Sequence, residues 1–130
     1  MIVADASWVV ALRDPGDGHH RQAKVINQEI ADEDALLHPV TLAECLVAPA
    51  QLGVLNDAAD GLRASFVVTD VDVDAPERWA ALRAQTGLQL PDVIVLDTAL
   101  TYNARAIATF DTRLATSASL RGLEVLGRSA

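Results

Sequence analysis

Four acidic residues stand where the local pattern of the chain changes: Asp5, Glu44, Asp92 and Asp111. Asp5 and Asp111 each follow a short apolar run, and Asp92 follows a proline. Carboxylates bind hard divalent cations, and several of them brought together repel one another unless a cation intervenes. If the fold gathers these four, they would form a magnesium or manganese site able to activate water at a phosphodiester.

Each of these acids also has a purely structural interpretation. Asp5 and Asp111 fit the N-cap of a following helix, and Asp92 would stabilise a helix N-terminus through the helix dipole. Glu44 follows Thr41 with the spacing of a capping box, in which the acid reaches back to the helix start. The local sequence leaves both interpretations open, and only convergence of the four acids would favour the metal site.

The elements that must position these acids alternate between strands and helices. Apolar runs predict strands at 1–4, 35–40, 66–74, 104–110 and 123–126, with 66–74 near the sheet edge. Periodicity and capping residues predict helices at 7–13, 19–30, from 41 to Pro49, from 56 or 57 to 65, 74–87, 92–102 and after Asp111. This alternation predicts an α/β fold with a parallel sheet covered on both faces, whose ligands bind beyond the carboxyl ends of the strands. The length of 130 residues fits a single domain over 1–130.

The charge balance excludes one class of nucleic-acid-binding protein. Ten Lys and Arg against 18 Asp and Glu give a net charge of −8. Such a surface cannot hold phosphates by diffuse electrostatic attraction. A nucleic acid would therefore need positive charge from bound cations or from a basic partner.

Cysteine content and hydropathy narrow the setting further. Cys45 is the single cysteine, which excludes an intramolecular disulfide and a thiolate zinc site. No apolar run approaches the roughly 20 residues that span a bilayer. Because residues 1–5 offer no basic leader of the secretory type, we expect a cytoplasmic protein without a membrane-spanning segment.

Four short motifs, in this order, resemble those of PIN-domain ribonucleases, in particular the VapC-type toxins of bacterial type II toxin–antitoxin modules. They are the segments 1–7 (MIVADAS), 41–44 (TLAE), 90–92 (LPD) and 109–111 (TFD). Each motif is weak alone, but the four together cover nearly the whole chain. The resemblance implies a three-layer α/β/α sandwich around a parallel sheet of four to five strands.

The resemblance also implies a site and a reaction. Its four acids would hold Mg²⁺ or Mn²⁺, and a metal-activated water would cleave RNA. Ser7 and Thr109 would support the ligands through hydrogen bonds. Arg113 lies just beyond Asp111 and could reach a phosphate, with a plain surface arginine as the alternative.

Two residues depart from the family's pattern. Asp97 stands where a small residue is more frequent; it lies about 140° around the helix from Asp92, so we expect it in a polar strip rather than at the metal site. Phe110 replaces a polar residue before the last acid, which would alter substrate contacts without removing a ligand. His19 and His20 lack a partner motif and are interpreted as a solvated helix start.

A partner and two other functions complete the expectations. The resemblance implies a VapB-like antitoxin that wraps apolar grooves on helices 19–30 and 41–55, and a homodimer within a larger toxin–antitoxin complex. A catalytically silent PIN-like binding module would keep the fold without cleavage. A receiver domain also binds magnesium, but it needs two adjacent acids after its first strand and a late lysine, whereas Asp5 stands alone and the one lysine is Lys24.

Overall fold

A computed structural model describes residues 1–127, and residues 128–130 of the expected domain lie outside the described part. Within residues 1–127 the chain forms five strands and seven helices: β1 (Ile2–Ala4), α1 (Ala6–Arg13), α2 (His20–Glu29), β2 (Ala35–Leu37), α3 (Pro39–Gln51), α4 (Leu55–Ser65), β3 (Val67–Val68), α5 (Ala75–Thr86), α6 (Leu90–Thr101), β4 (Ala106–Ala108), α7 (Thr112–Leu120) and β5 (Glu124–Leu126). The alternation of strands and helices is as the sequence predicts. No helix in this part of the chain has the length and hydropathy needed to cross a membrane.

The five strands form one parallel sheet in the order β3-β2-β1-β4-β5. β1 is central, with β2 and β3 on one side and β4 and β5 on the other. The strand order therefore reverses between β1 and β4, and ligands of open parallel sheets bind at such a switch point. This order also differs from the 2-1-3-4-5 order of receiver domains, so the receiver interpretation does not fit the fold.

Each strand sends alternate side chains to opposite faces, and each face carries its own helix layer. Ile2 and Ala4 of β1 lie in the core beneath α1, α2, α3 and α4, where Trp8 is fully buried. Val3 lies in the second core with α6 and α7, and Trp79 of α5 packs at its margin. The expected three-layer α/β/α sandwich is confirmed.

Helix α3 begins two residues earlier than the sequence pattern predicts. His38 is its N-cap residue, and the His38 Nδ1 accepts a hydrogen bond from the backbone N–H of Val40 at 3.0 Å. Pro39 then takes the first helical position, where a missing N–H costs nothing. Pro49 lies in the last turn and does not end the helix, which continues to Gln51.

The predicted strand at 66–74 is wrong over most of its length. Only Val67 and Val68 pair with the sheet, although β3 is an edge strand as expected. The ladder ends after the N–H of Thr69 donates to the carbonyl of Leu37, and the acids that follow lie in a loop. Asp72 is held in this loop by Arg78 through two hydrogen bonds of 2.7 Å.

Candidate active site

The four predicted acids lie around the switch point of the sheet. Asp5 directly follows β1, and Asp111 ends the short segment after β4. Asp92 is the third residue of α6, and Glu44 lies in the second turn of α3. The backbone N–H of Asp5 donates to the carbonyl of Ala108 at 3.0 Å, which ties the ends of the two central strands together.

Asp5 is the most firmly placed of these acids. It is the N-cap residue of α1 by position, but its side chain caps nothing. Its Oδ2 instead accepts hydrogen bonds from the hydroxyls of Ser7 and Thr109, both at 2.7 Å. Asp5 is only 7% exposed, and these bonds satisfy and orient its buried carboxyl group.

Ser7 and Thr109 are themselves oriented by backbone groups. The Ser7 Oγ accepts from the N–H of Phe110 at 3.0 Å, and the Thr109 Oγ1 accepts from the N–H of Asp111 at 2.9 Å. A hydroxyl has one hydrogen, and in each residue that hydrogen is given to Asp5. The two side chains therefore link Asp5 to the segment that carries Asp111.

The carboxyl groups of Asp92 and Glu44 respond to the other acids. Burial, followed by the charges of Asp111, Asp5 and Glu44, raises the pKa of Asp92 from 3.8 to about 6. The Glu44 side chain is exposed overall, yet partial loss of solvent and then the charge of Asp5 raise its pKa as well. The four acids are thus close enough to act on one another through space.

Asp111 combines two roles. Its Oδ1 caps α7 by accepting from the backbone N–H groups of Arg113 at 2.9 Å and Leu114 at 3.2 Å. The structural interpretation of this acid is therefore correct, and the cap also holds its carboxylate beside Asp92. The side chain of Arg113 is exposed, and its positive charge lowers the pKa of Asp92 against the effect of the acids.

The alternative interpretation, in which Glu44 belongs to a capping box, is wrong. Because α3 is capped by His38, Glu44 lies well past the first turn and cannot reach the helix start. Thr41 is fully buried, and its Oγ1 has no hydrogen-bond partner among the described residues. Helix capping therefore does not explain the position of Glu44.

The donor set suits a hard cation, but its geometry is open. The four side chains offer only carboxylate oxygens, which magnesium and manganese prefer. Within residues 1–127, no three His, Cys, Asp or Glu side chains already stand as a preformed metal-binding group. These carboxylates therefore fit a cation by the chemistry of their oxygens, and without a counterion their like charges repel one another.

Asp97 is not a polar-strip residue, contrary to the expectation. It is 5% exposed, and its carboxylate accepts from the Nε and Nη2 of Arg78, the Nε1 of Trp79 and the hydroxyl of Thr101 at 2.9–3.2 Å. These contacts join α5 to α6. Asp97 holds these two helices together, and none of its hydrogen bonds goes to the four candidate acids.

The stacking of two aromatic rings beside the site was not predicted from the sequence. His19, expected to be merely solvated, stacks on Phe110 with ring centroids 4.4 Å apart and an interplanar angle of 12°. The two residues are 91 positions apart, and no local pattern marks the pair.

Cys45 offers no nucleophile, because burial and then the charges of Glu44 and Asp5 raise the pKa of its thiol to about 12.

Solved structures with the same fold include a toxin–antitoxin complex and a toxin. A toxin–antitoxin complex from Klebsiella pneumoniae superposes with a TM-score of 0.74 at 24% identity, over 95% of both chains. VapC20 of Mycobacterium tuberculosis, a sarcin–ricin loop cleaving toxin, gives 0.72 at 19% identity, over 90% of this chain and 95% of that one. FitAcB of Neisseria gonorrhoeae gives 0.65 at 18% identity, over 97% and 96%.

Sequence comparison gives the family directly. None of the curated proteins compared with the chain is significantly similar to it. The family model of the PIN domain, however, matches residues 2–119. The match runs from β1 into α7 and includes all four acids at the switch point. The chain belongs to the PIN domain family.

Proposed function

We propose that this chain is a metal-dependent endoribonuclease, the toxin of a VapBC-type toxin–antitoxin pair. The observation that carries the proposal is the group of four mutually interacting carboxylates at the switch point of the sheet, one of them fixed by two hydroxyls. Family membership supports a nuclease, and the solved relatives include a toxin that cleaves the sarcin–ricin loop. The proposed substrate is RNA, and the proposed setting is the cytoplasm.

Some residues of the site would hold a cation, and others orient the residues that hold it. Asp5, Glu44, Asp92 and Asp111 would hold Mg²⁺ or Mn²⁺. When bound, the cation would supply the positive charge that this acidic chain lacks, activating water and stabilising the leaving oxygen of the phosphodiester. Ser7 and Thr109 orient Asp5 through its Oδ2, which leaves Oδ1 to face a ligand.

Asp111 and Arg113 place a negative and a positive charge at the site. Asp111 is kept in place by its bonds to the start of α7. Arg113 is the cation nearest to the acids in sequence, and its effect on Asp92 places its charge within electrostatic reach of the site. An exposed arginine at this point would attract a phosphate of the substrate.

The proposal is tested by cleavage of a single-stranded RNA with purified protein in Mg²⁺, in Mn²⁺ and in EDTA. We expect cleavage with either cation and none in EDTA, and loss of cleavage in Asp5→Asn and Asp92→Asn. Asp32→Asn is the matched control, because Asp32 is an exposed acid before β2, at the opposite edge of the sheet. Metal-dependent cleavage that survives Asp5→Asn or Asp92→Asn would contradict the mechanism, and a folded wild type that cleaves no RNA would favour the silent binding module.

The proposed partner is a VapB-like antitoxin, with a homodimer of the toxin inside the complex. An apolar groove of about 380 Å³ lies between α1, α3 and α4 and is lined by side chains that include Val10, Pro49 and Leu52. Leu52, directly after α3, is 78% exposed, and Val47 within α3 is 55% exposed. Apolar area of this kind suits an amphipathic segment laid into a groove, and the net charge of −8 suits a partner carrying arginine.

A further inference from the structure

A second cavity adjoins the carboxylate site on the side of α7. It has a volume of about 370 Å³ and shares Thr109 and Asp111 with the site, and its other walls include His19, Gln22, Phe110 and Thr112. This volume lies within the roughly 300–1,000 Å³ typical of small-ligand pockets. Because the two sites share a wall, groups bound in them would belong to neighbouring parts of one ligand.

The cavity contains a prebuilt aromatic stack. The centroids of the nearly parallel His19 and Phe110 rings are 4.4 Å apart, and the His19 side chain is 56% exposed, so its ring is accessible to a ligand. Gly127 is closely apposed to Phe110: a Cβ at Gly127 would come within 2.5 Å of the Thr109 carbonyl and 3.1 Å of the Phe110 ring. Only glycine allows β5 to end so close to the ring, and the stack is held from this side.

One polar side chain borders the cavity. The Gln22 Nε2 donates to the carbonyl of Gly127 at 3.2 Å, which fixes the orientation of its amide. An amide has two N–H donors and a carbonyl acceptor, so Gln22 retains one donor and its acceptor. These are the groups that pair with the polar edge of a nucleobase.

The charges of the side chains that line the cavity determine which chemical groups can bind in it. Among the described residues 1–127, no Lys or Arg lines the cavity and Asp111 does, so an isolated phosphate would be repelled by these walls. A flat, uncharged base would not be, because aromatic stacking is independent of phosphate charge and works for every base. An acidic nuclease that cannot attract RNA by diffuse charge gains affinity most directly from such a surface.

We propose that the His19–Phe110 stack, with Gln22 at its edge, is a stacking site for an unpaired RNA base next to the scissile phosphodiester. The inference rests on the proposed function, since it assigns a subsite of the same substrate.

The first test uses no metal and no cleavage. Adenosine and uridine are titrated into the wild-type protein, and the ring protons of His19 and Phe110 are followed by NMR. We expect upfield shifts of both rings, with the His19 shift lost in Phe110→Leu and the Phe110 shift lost in His19→Ala. Phe110→Leu keeps apolar volume in a partly buried position, and His19→Ala changes an exposed side chain, so at least one variant remains folded. Tyr102→Ala is the matched aromatic control, because Tyr102 is 40% exposed at the far end of α6 from Asp92.

The second test uses cleavage of short RNAs in which single bases are replaced by abasic residues. We expect an abasic residue at one position beside the cleaved bond to raise KM at least about fivefold, the low end of the effect of one stacked base. His19→Ala and Phe110→Leu should raise KM by a similar factor for the intact RNA, with kcat nearly unchanged and no further loss at the abasic position.

The outcomes separate this inference from the proposed function. Nucleosides that leave both rings unperturbed, or variants with unchanged KM in an active enzyme, would overturn the stacking site while the nuclease stands. Ring shifts in a protein that cleaves no RNA would support a base-binding site and overturn the proposed function.

Discussion

Ser7 and Thr109 each give their single hydroxyl hydrogen to Asp5 and accept a backbone N–H from the segment after β4. A carboxylate held in this way has one preferred orientation, which is what a metal ligand requires. Both hydroxyls are therefore part of the candidate site, although neither has to touch the cation.

Thr109→Val tests this support with a substitution of nearly equal volume. It removes the bond to Asp5 and the acceptor for the N–H of Asp111, so we expect RNA cleavage to fall about 10- to 100-fold. The free energy of unfolding should fall by about 1–3 kcal/mol. Thr86→Val is the matched control, because the Thr86 hydroxyl also donates to a carbonyl and accepts an N–H, but at the end of α5. Equal losses of cleavage in the two variants would argue against a special role for Thr109.

Asp92 makes the stability of the metal-free protein depend on pH. Its pKa in the folded state, about 6, lies above the ordinary value of 3.8, so the folded protein binds the proton more tightly than the unfolded chain. The stability from this group is present below 3.8 and is lost as the pH rises through about 6. Urea unfolding should therefore show Asp92→Asn to be more stable than wild type at pH 7, by about 1 kcal/mol after allowance for solvent screening, and the difference should vanish toward pH 4. A variant that is less stable at pH 7 would contradict the repulsion among the acids.

Among the elements, α3 has the greatest effect on how the site is interpreted. Its start at Pro39 places Glu44 beyond the first turn, and its direction carries Glu44 toward Asp5. The same acid would be a capping residue if the helix began at Thr41. A shift of two residues in the start of α3 thus decides whether Glu44 caps the helix or is available for its proposed role at the site.

Glu44→Gln distinguishes the two roles. Gln cannot supply a charged ligand, so we expect cleavage to be lost. Because the side chain does not cap α3, stability should stay within about 0.5 kcal/mol of wild type or rise slightly through weaker repulsion of Asp5. The measurement pairs an RNA-cleavage assay with thermal unfolding. Retained cleavage would remove Glu44 from the site.

Asp97 joins α5 and α6 through its bonds to Arg78 and Trp79. Asp97→Asn would keep one acceptor oxygen but leave Arg78 with a weaker partner in a partly buried position. We expect the free energy of unfolding to drop by about 1–3 kcal/mol. Divalent-cation binding by the folded variant, followed by calorimetry, should be unchanged. A weaker affinity for the cation at full stability would show that Asp97 belongs to the metal site after all.

In the molecule as a whole, the surface available to a partner differs between the two helix layers. The layer with α1, α3 and α4 presents the apolar groove, whereas the candidate site opens at the carboxyl edge of the sheet. A partner seated in the groove would therefore be near the site through α3, which carries Glu44, without having to fill it. The overall negative charge favours a basic partner in either case.

Leu52→Glu tests the groove as the antitoxin surface. The leucine is 78% exposed, so the fold should tolerate the change, and RNA cleavage by the free protein should be unchanged. Co-expression with the protein of the adjacent upstream reading frame, followed by co-purification, should show affinity reduced at least about tenfold, as expected for the loss of one buried leucine. Leu120→Glu on α7 is the control, at 80% exposure on the other layer. Equal binding of wild type and Leu52→Glu would exclude this groove.

The order of the elements and the placement of the four acids could be predicted from the sequence. Short apolar runs and helical periodicity depend on neighbours within one or two turns, so the strand–helix alternation is visible locally. In a parallel sheet, residues that follow different strands converge at one edge, which is why Asp5 and Asp111 could be brought together before any contact was known.

Specific side-chain contacts, some local and some between distant parts of the chain, decided the rest. The start of α3 depends on the imidazole of His38, the end of β3 on the loop that Arg78 holds through Asp72, and the role of Asp97 on two side chains of α5. The His19–Phe110 stack joins residues 91 positions apart, so no local pattern contains it. A sequence pattern shows which face of an element is apolar, but the partner of a buried polar group or an open ring exists only once the layers have packed.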